Sequence, residues 1–329
     1  MQFEHIGFYR ALVEETQNKE ESREAIMSYV KNKSIGDIFI QDMDKIKYTP
    51  ENIQSYMDAY LSLNINGIDN FIEHIANDYI IKQKILLQEI CHYEPIQEYI
   101  RTYLSEYIPR YTDDETIIYI NKHITIKTLN VPLFNAEITD LGISSLTEIT
   151  SLNILNSKLV TDKSVSNLNL TRLSASYTNI TDYTYYRLVN LTYLDVGGES
   201  FISDECLSTL VNLTYLDISC NKQLSDKALI NLTNLRILSI YDTHITDLGI
   251  SSLTNLERLI TNKLITNIQC LPNLRILDAG FNIHITQFEN LSYVMNTGSL
   301  HHTFPDTCKY ISFSTMTLNN IMKIEITKN

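Results

Sequence analysis

Tyrosine and aspartate side chains recur at matching places in short, similar segments of this sequence. Leu191-Thr-Tyr-Leu194-Asp-Val196 and Leu213-Thr-Tyr-Leu216-Asp-Ile218 carry Tyr and Asp at the same two positions. Aromatic rings beside carboxylates suit a protein partner that carries Arg or Lys, because Tyr is enriched at binding hot spots. The alternative is that these positions need only be polar. The candidate partner-binding residues are Tyr177, Tyr193, Asp195, Tyr215, Asp217, Tyr241, Asp242 and Asp278.

Catalytic and metal-binding chemistry has less support in the sequence. The Cys/His groupings are Cys91-His92 and His301-His302 with Cys308, and neither has the paired spacing of a zinc site. Cys91 ends an apolar, helix-like run, where a buried structural cysteine is the default. The sequence therefore predicts no catalytic residue, no metal and no cofactor, and an enzyme that uses Cys91 is the alternative.

Composition restricts the setting and the partners. The net charge is −13 and there is no Lys/Arg cluster, which argues against nucleic acid or an anionic membrane as the main partner. Five scattered cysteines without a CxxC pair suit a reducing compartment. The sequence has no visible signal peptide and no apolar run long enough to span a membrane. These features predict an intracellular protein that is not secreted.

The elements that must position the Tyr and Asp residues form a repeat. Copies of the segment begin at Ile149, Leu170, Leu191, Leu213, Leu235, Leu256 and Leu274, a period of about 21 residues. Within a copy, apolar and polar residues alternate, which predicts a short strand with one buried face. A Ser/Thr-Asp pair follows in each return segment and predicts a helix N-cap with an acidic first turn. These pairs begin at Thr139, Thr161, Thr181, Ser203, Ser225 and Thr246.

This pattern resembles the leucine-rich repeat family, as in Leu235-x-x-Leu238-x-Ile240-x-x-Thr243-x-Ile245. The tail Thr246-Asp247-Leu-Gly-Ile-Ser-Ser-Leu253 resembles the Ile-Thr-Asp variant of F-box-type leucine-rich repeat proteins. No F-box motif is visible, since its Leu-Pro start and its late Trp are both missing. The resemblance implies an α/β leucine-rich repeat solenoid, a parallel β-sheet with short capped helices. It implies little about function, because this fold serves many functions.

The regions on either side of the repeats differ from them. Residues 1–120 have a net charge of −10, against −3 for the rest, and carry helical apolar stripes after Thr49-Pro50 and from Pro95. We predict an acidic α-helical N-terminal domain over 1–120, about eight repeats over 121–293 and a C-terminal cap over 294–329. Ser34–Ile40 fits a strand or a helix-joining segment, and Lys309–Phe313 is compatible with a final strand.

A solenoid offers a surface rather than an enclosed pocket. The sequence therefore predicts a non-enzymatic module that binds a partner protein, one with a basic surface, on its concave repeat face. A substrate receptor of a ubiquitin ligase is the alternative within this class. Bacterial ubiquitin ligases with leucine-rich repeats use a Cys-x-Asp motif, whereas this chain has Cys91-His-Tyr-Glu94. A purely structural role is the third possibility.

Overall fold

The computed structural model describes residues 47–63, 68–105, 113–131, 137–278, 291–295 and 309–311 of the chain. The segment 34–40, both histidines of the pair at 301 and 302, Cys308 and Phe313 lie outside the described residues. The chain divides into two compact units, Met1–Asn130 with Asn135–Glu137 and Val131–Phe134 with Ile138–Asn329. The three-part division at residues 120 and 293 stays a prediction.

Helices dominate the described part of the first unit, as the apolar stripes predict. Ile96, Ile100 and Leu104 are buried on one face of the helix that contains Pro95. Tyr56, on the helix after Thr49-Pro50, is also buried and meets the Tyr48 ring edge-on at 5.2 Å. The elements are α1 Ile53–Leu63, α2 Ile68–His74, a π-helix Ile75–Lys82, α3 Leu87–Ile90, α4 Glu94–Ser105, α5 Asp114–His123 and strand β1 Thr128–Asn130.

The second unit repeats a strand, a turn and a short helical segment. The strands are β2 Ser151–Asn153, β3 Arg172–Ser174, β4 Tyr193–Asp195, β5 Tyr215–Asp217, β6 Ile237–Ser239, β7 Arg258–Ile260, β8 Ile276–Asp278, β9 Tyr293–Met295 and β10 Lys309–Ile311. The helical segments are α6 Asp140–Ser144, α7 Asp162–Val165, α8 Asp182–Tyr185, α9 Asp204–Leu207, a 3₁₀ turn Asp226–Leu229 and α10 Asp247–Ile250. Strands β2 to β10 pair in parallel and in chain order. The sequence left open whether Lys309–Phe313 adds a final strand, and the structure has a strand there over Lys309–Ile311.

The core of the second unit runs along the stacked repeats. The central residue of each strand from β2 to β8 is almost fully buried, and these residues are Leu152, Leu173, Leu194, Leu216, Leu238, Leu259 and Leu277. Apolar residues of the helical segments, such as Leu207 and Ile250, are buried as well. Each repeat thus buries its apolar residues against its neighbours, which defines a solenoid. The predicted fold class, an α/β leucine-rich repeat solenoid preceded by helices, is confirmed.

Candidate functional site

Two neighbouring strands place four of the candidate residues side by side on the exposed sheet face. In β4 and β5, Tyr193 pairs with Tyr215, and Asp195 pairs with Asp217, in the same register. The alternation within each strand buries Leu194 and Leu216, so the residues on either side face outward. We call Tyr193, Asp195, Tyr215 and Asp217 the Tyr–Asp cluster. It is the part of the predicted site that the structure brings together.

The two rings of the Tyr–Asp cluster are stacked. Their centroids are 4.0 Å apart and their planes differ by 13°. Arg172, in the same register on β3, places its guanidinium carbon 3.9 Å from the Tyr193 ring centroid. A guanidinium at this distance from an aromatic face is attracted by the ring quadrupole. The row Arg172, Tyr193, Tyr215 is thus held in place by stacking across three strands.

The two carboxylates of the cluster are partly shielded from water. The Ser176 hydroxyl donates to Asp195, and the Gly197 N–H donates to the same oxygen at 3.3 Å. Burial and the adjacent Asp217 charge nevertheless raise the pKa of Asp195 to about 6. Burial also raises the pKa of Asp217, against the hydrogen bonds from Ser219 and Ser239. Neither carboxylate has an ion pair with a described residue, so the cluster can accept a cation.

Three candidate residues lie beyond the strand ends rather than on the sheet face. Tyr177 and Asp242 occupy left-handed turns with φ of 58° and 51°, and Tyr241 follows β6 and is 57% exposed. A Cβ atom on Gly198, itself at φ 64°, would collide with the Tyr177 ring, so this ring lies over Gly198. These three side chains form a rim next to the cluster.

Asp278 is the remaining candidate, and it lies at the end of β8. It occupies the same strand position as Asp195 and Asp217, but Ser239 and Ile260 intervene on β6 and β7. Burial raises its pKa. Asp278 shares the sheet face with the Tyr–Asp cluster and lies three strands away from Asp217.

Four residues of the site were missed from the sequence: Arg172, Ser176, Ser219 and Ser239. Arg172 had a detectable signal, because it stands two residues after Leu170, as Tyr193 stands two residues after Leu191. The serines had none, because contact with a carboxylate depends on local geometry: Ser176 follows β3 and reaches Asp195, Ser219 follows β5 and folds back to Asp217, and Ser239 lies on β6 in register with Asp217. Ser219 and Ser239 place their hydroxyl oxygens 2.6 Å apart beside Asp217.

The Ser/Thr-Asp pairs are structural, as predicted, and each Asp also bonds to the next repeat. Each hydroxyl caps its own helical segment, as in Thr161, which accepts from the Lys163 N–H. Thr161 also donates to Asp140 of the preceding repeat, through its backbone N–H at 2.8 Å and its hydroxyl at 2.6 Å. We call this series the aspartate ladder. Its aspartates are Asp140, Asp162, Asp182, Asp204, Asp226 and Asp247.

Small residues pack against the aspartate ladder. Two residues after each ladder Asp stands one of Gly142, Ser164, Thr184, Cys206, Ala228 and Gly249, all buried. Ser164 and Thr184 donate to the preceding ladder carboxylate, at 2.6 and 2.5 Å. A Cβ atom on Gly249 would lie 2.5 Å from a carboxylate oxygen of Asp226. The glycine of the Ile-Thr-Asp-x-Gly pattern therefore leaves room for the previous repeat's carboxylate.

The alternative functions would use Cys91 or a metal site, and the structure describes the residues that these would need. Cys91 lies just after α3 and is half-exposed rather than buried, with its thiol 3.6 Å from the carbonyl oxygen of Gln88. Among the described residues, no group of three or more His, Cys, Asp or Glu side chains could hold a metal ion. The four cysteines that the structure describes, Cys91, Cys206, Cys220 and Cys270, are all free thiols.

A groove lies before the starts of strands β5 to β9, and none of its lining residues belongs to the Tyr–Asp cluster. Its volume is about 930 Å³, and polar side chains line it, among them Asn234, Arg236, Asn255, Glu257 and Arg275. Arg236 pairs with Glu257, and the Asn255 amide donates to the Thr233 carbonyl of the previous repeat at 3.0 Å. These side chains connect neighbouring repeats, so the volume of the groove does not by itself indicate a binding site.

No helix within the described part of the chain combines the length and the apolar character that crossing a membrane requires. No protein-family model and no curated protein sequence matches the chain.

Several solved structures are similar to part of the chain. Internalin C2 (InlC2) from Listeria monocytogenes is 23% identical over 61% of this chain and 92% of its own, with a TM-score of 0.42. TLR13, solved in a complex with ssRNA13, is 21% identical over 58% of this chain and 31% of its own, with a TM-score of 0.44. The functional domain of InlJ from Listeria monocytogenes is 20% identical over 54% of this chain and 45% of its own, with a TM-score of 0.39.

Proposed function

We propose that this chain is a non-enzymatic, intracellular interaction module that binds a partner protein on its exposed sheet face through the Tyr–Asp cluster. One observation carries the proposal. Asp195 and Asp217 lie side by side, partly shielded from water, with no ion pair to a described residue. Shielded carboxylates without a cation favour a ligand that brings one.

The partner's chemistry follows from the same four side chains. The tyrosine rings supply rigid contact area at low entropy cost, and the carboxylates favour Arg or Lys on the partner. The net charge of −13 also favours a basic protein over nucleic acid or an anionic membrane. Tyr177, Tyr241, Asp242 and Asp278 would then make the surrounding contacts rather than the central ones.

Affinity capture from a cell lysate tests this function. The wild type is compared with the quadruple variant Tyr193→Ala, Asp195→Ala, Tyr215→Ala, Asp217→Ala. The matched control carries Leu248→Ala, in α10, and Ile230→Ala, just after the 3₁₀ turn, both at exposed residues. We expect one or more proteins to be captured by the wild type and the control but not by the quadruple variant, and raised salt to weaken this capture. Identical captured sets for all three proteins would show that the sheet face is not the binding surface.

A substrate receptor of a ubiquitin ligase is a second candidate, favoured by the repeat variant in Thr246-Asp247-Leu-Gly249. In that case the helical N-terminal unit would dock a ligase scaffold component while the sheet face holds the substrate. Capture with the full chain tests this too, since a scaffold component should remain bound to the quadruple variant. If no scaffold component is recovered with any of the three proteins, the candidate is excluded.

A further inference from the structure

The two carboxylates of the Tyr–Asp cluster are neighbours across one pair of strands. Asp195 and Asp217 occupy the same register on β4 and β5, and adjacent strands lie about 4.8 Å apart. Both side chains are half-buried, and neither forms an ion pair with a described residue. Two negative charges this close repel each other more strongly as water is removed, so the pair favours the uptake of one proton.

Hydrogen bonds decide which of the two carboxylates takes the proton. Asp217 accepts from the Ser219 N–H at 2.8 Å and also from the hydroxyls of Ser219 and Ser239. Donors of this kind stabilise the charged form of a carboxylate. At Asp195, two donors share Oδ1, and no donor in the described part of the chain reaches Oδ2. Oδ2 of Asp195 is therefore the atom that takes the proton, while Asp217 stays charged.

The other ionisable groups around the two carboxylates do not compete for this proton. Four of them can lose a proton themselves, and these are Tyr185 of α8, Tyr193 and Tyr215 on the two strands, and Cys220 in the turn after β5. Burial raises the pKa of all four, so they stay neutral. The Arg172 guanidinium lies over the Tyr193 ring. Lys222 is paired with Asp242 at 3.0 Å. Glu199 and His244, in the turns after β4 and β6, are exposed.

We propose that Asp195 and Asp217 together hold one proton in mildly acidic solution, and that a cationic side chain of the partner protein binds by displacing this proton. The O–H bond at Oδ2 of Asp195 breaks, the proton passes to a buffer base, and the positive charge of the partner takes its place beside both carboxylates. The inference rests on the proposed function and adds its regulation, because binding of a basic partner then strengthens as pH rises and weakens as pH falls.

A rhodamine-labelled peptide of two arginines between glycines tests this with the full-length protein. Fluorescence anisotropy gives its dissociation constant at pH 5, 6 and 7 and constant ionic strength. Since the pKa of Asp195 is about 6 and one proton is released, we expect the affinity to rise by about tenfold from pH 5 to pH 7. Asp195→Asn has no proton to release at this position. Its affinity should therefore be lower than that of the wild type at pH 7 and nearly the same at all three pH values.

Glu205→Gln and His244→Gln are the matched controls. Each removes one exposed ionisable group outside the cluster, and a histidine can change its charge in this pH range. Both variants should keep the rise in affinity of the wild type, and circular dichroism checks that every variant is folded.

Carboxyl NMR titration of the free protein adds a measurement that needs no peptide. Asp217→Asn removes the neighbouring charge and should lower the pKa of Asp195, whereas Glu205→Gln should leave it unchanged. Three results would each overturn the inference: a wild-type affinity that does not change with pH, a pH dependence that persists in Asp195→Asn, or a pKa of Asp195 that does not respond to Asp217→Asn.

Failure of this inference is distinguishable from failure of the proposed function. If the quadruple variant loses its partner but peptide binding to the wild type does not depend on pH, the sheet face binds a basic protein without releasing a proton. If the peptide shows the expected pH dependence but the captured proteins do not change, the carboxylate pair binds a cation and the proposed function is wrong. If the peptide does not bind at pH 7, both are overturned.

Discussion

Asp226 accepts two hydrogen bonds from Thr246, one from the backbone N–H and one from the hydroxyl, each at 2.7 Å. These two residues are 20 positions apart in the chain and belong to successive repeats. Thr246 in turn caps its own helical segment by accepting from the Leu248 N–H. One hydroxyl therefore stabilises a helix start and joins two repeats.

This double role predicts that the aspartate ladder contributes to stability. We expect Asp226→Ala to lower the free energy of unfolding by about 1–3 kcal/mol, because it leaves the Thr246 donors without their charged acceptor. Asp242→Asn is the control, because Asn tolerates the left-handed backbone at this position and the ion pair with Lys222 that it removes is exposed, so the loss should be well under about 1 kcal/mol. Urea unfolding measures both changes. An equal loss in the two variants would contradict the role of the ladder.

The close approach of Gly249 to Asp226 predicts a steric effect. Gly249→Ala places a methyl group 2.5 Å from a carboxylate oxygen, so the carboxylate or the helical turn must move. We expect a loss of about 1–3 kcal/mol, as for other overpacked sites. Thermal unfolding with Ser251→Ala as the control measures this. A variant as stable as the wild type would show that the carboxylate moves aside without cost.

The aspartate ladder and the Tyr–Asp cluster should change the free energy of unfolding with pH in opposite directions. The folded pKa of Asp195 is raised from 3.8 to about 6, so its favourable contribution is present below pH 4 and lost as pH rises through 6. At pH 7, Asp195→Asn should therefore be more stable than the wild type. The gain in the free energy of unfolding is at most about 3 kcal/mol, and solvent screening reduces it because Asp195 is partly exposed. Carboxyl NMR titration gives the pKa, and urea unfolding at pH 4 and pH 7 gives the stability difference. A variant with the same pH dependence as the wild type would refute this assignment.

For Asp140, burial would raise the pKa, but donors from Ser164 and Thr161 outweigh it and lower the pKa below its ordinary value. Its contribution to stability is therefore present above pH 4 and lost as pH falls through the lowered pKa. We expect Asp140→Asn to destabilise the protein at pH 7 and to differ little from the wild type under strongly acidic conditions. Urea unfolding at both pH values measures this, and a gap that widens in acid would contradict the expectation.

Tyr185 carries a hydroxyl that is buried without a hydrogen-bond partner among the described residues. Burial raises its pKa. We expect Tyr185→Phe to raise the free energy of unfolding by about 1 kcal/mol, because it removes an unsatisfied polar group from the core. Tyr183→Phe is the matched control, because Tyr183 is 56% exposed. This variant should change the free energy of unfolding little. If Tyr185→Phe destabilises the protein, the hydroxyl has a partner, such as a buried water.

Local patterns were enough to predict the strands, the caps and the stacking order. Burial of Leu194 and Leu216 follows from alternation, and the capping role of Thr161 follows from its residue type before an apolar turn. The Tyr193 and Tyr215 neighbourhood follows from the period, because equal positions in successive repeats become cross-strand pairs.

The backbone conformation of the rim residues, the contacts between repeats and the exposure of Cys91 depend on three-dimensional geometry that the residue types alone do not specify. Tyr177 and Asp242 adopt left-handed backbone conformations that are uncommon for residues other than Gly, so the repeat pattern does not predict that they lie in turns. The bond from Thr246 to Asp226 requires knowing that one repeat's first turn lies against the cap of the next. Half-exposure of Cys91 depends on where α3 ends, and element ends are difficult to predict from pattern.

The aspartate ladder also means that the array can change length without losing its connections. If residues 204–225 were deleted in frame, Ser203 would precede Asp226, as Ser225 does now. Asp182 would still hold Ser203, and Asp226 would still hold Thr246. That deletion removes β5, with Tyr215 and Asp217, while every remaining carboxylate of the aspartate ladder keeps its partner. Gain or loss of a whole unit therefore replaces one set of exposed sheet residues with another in a single genetic step.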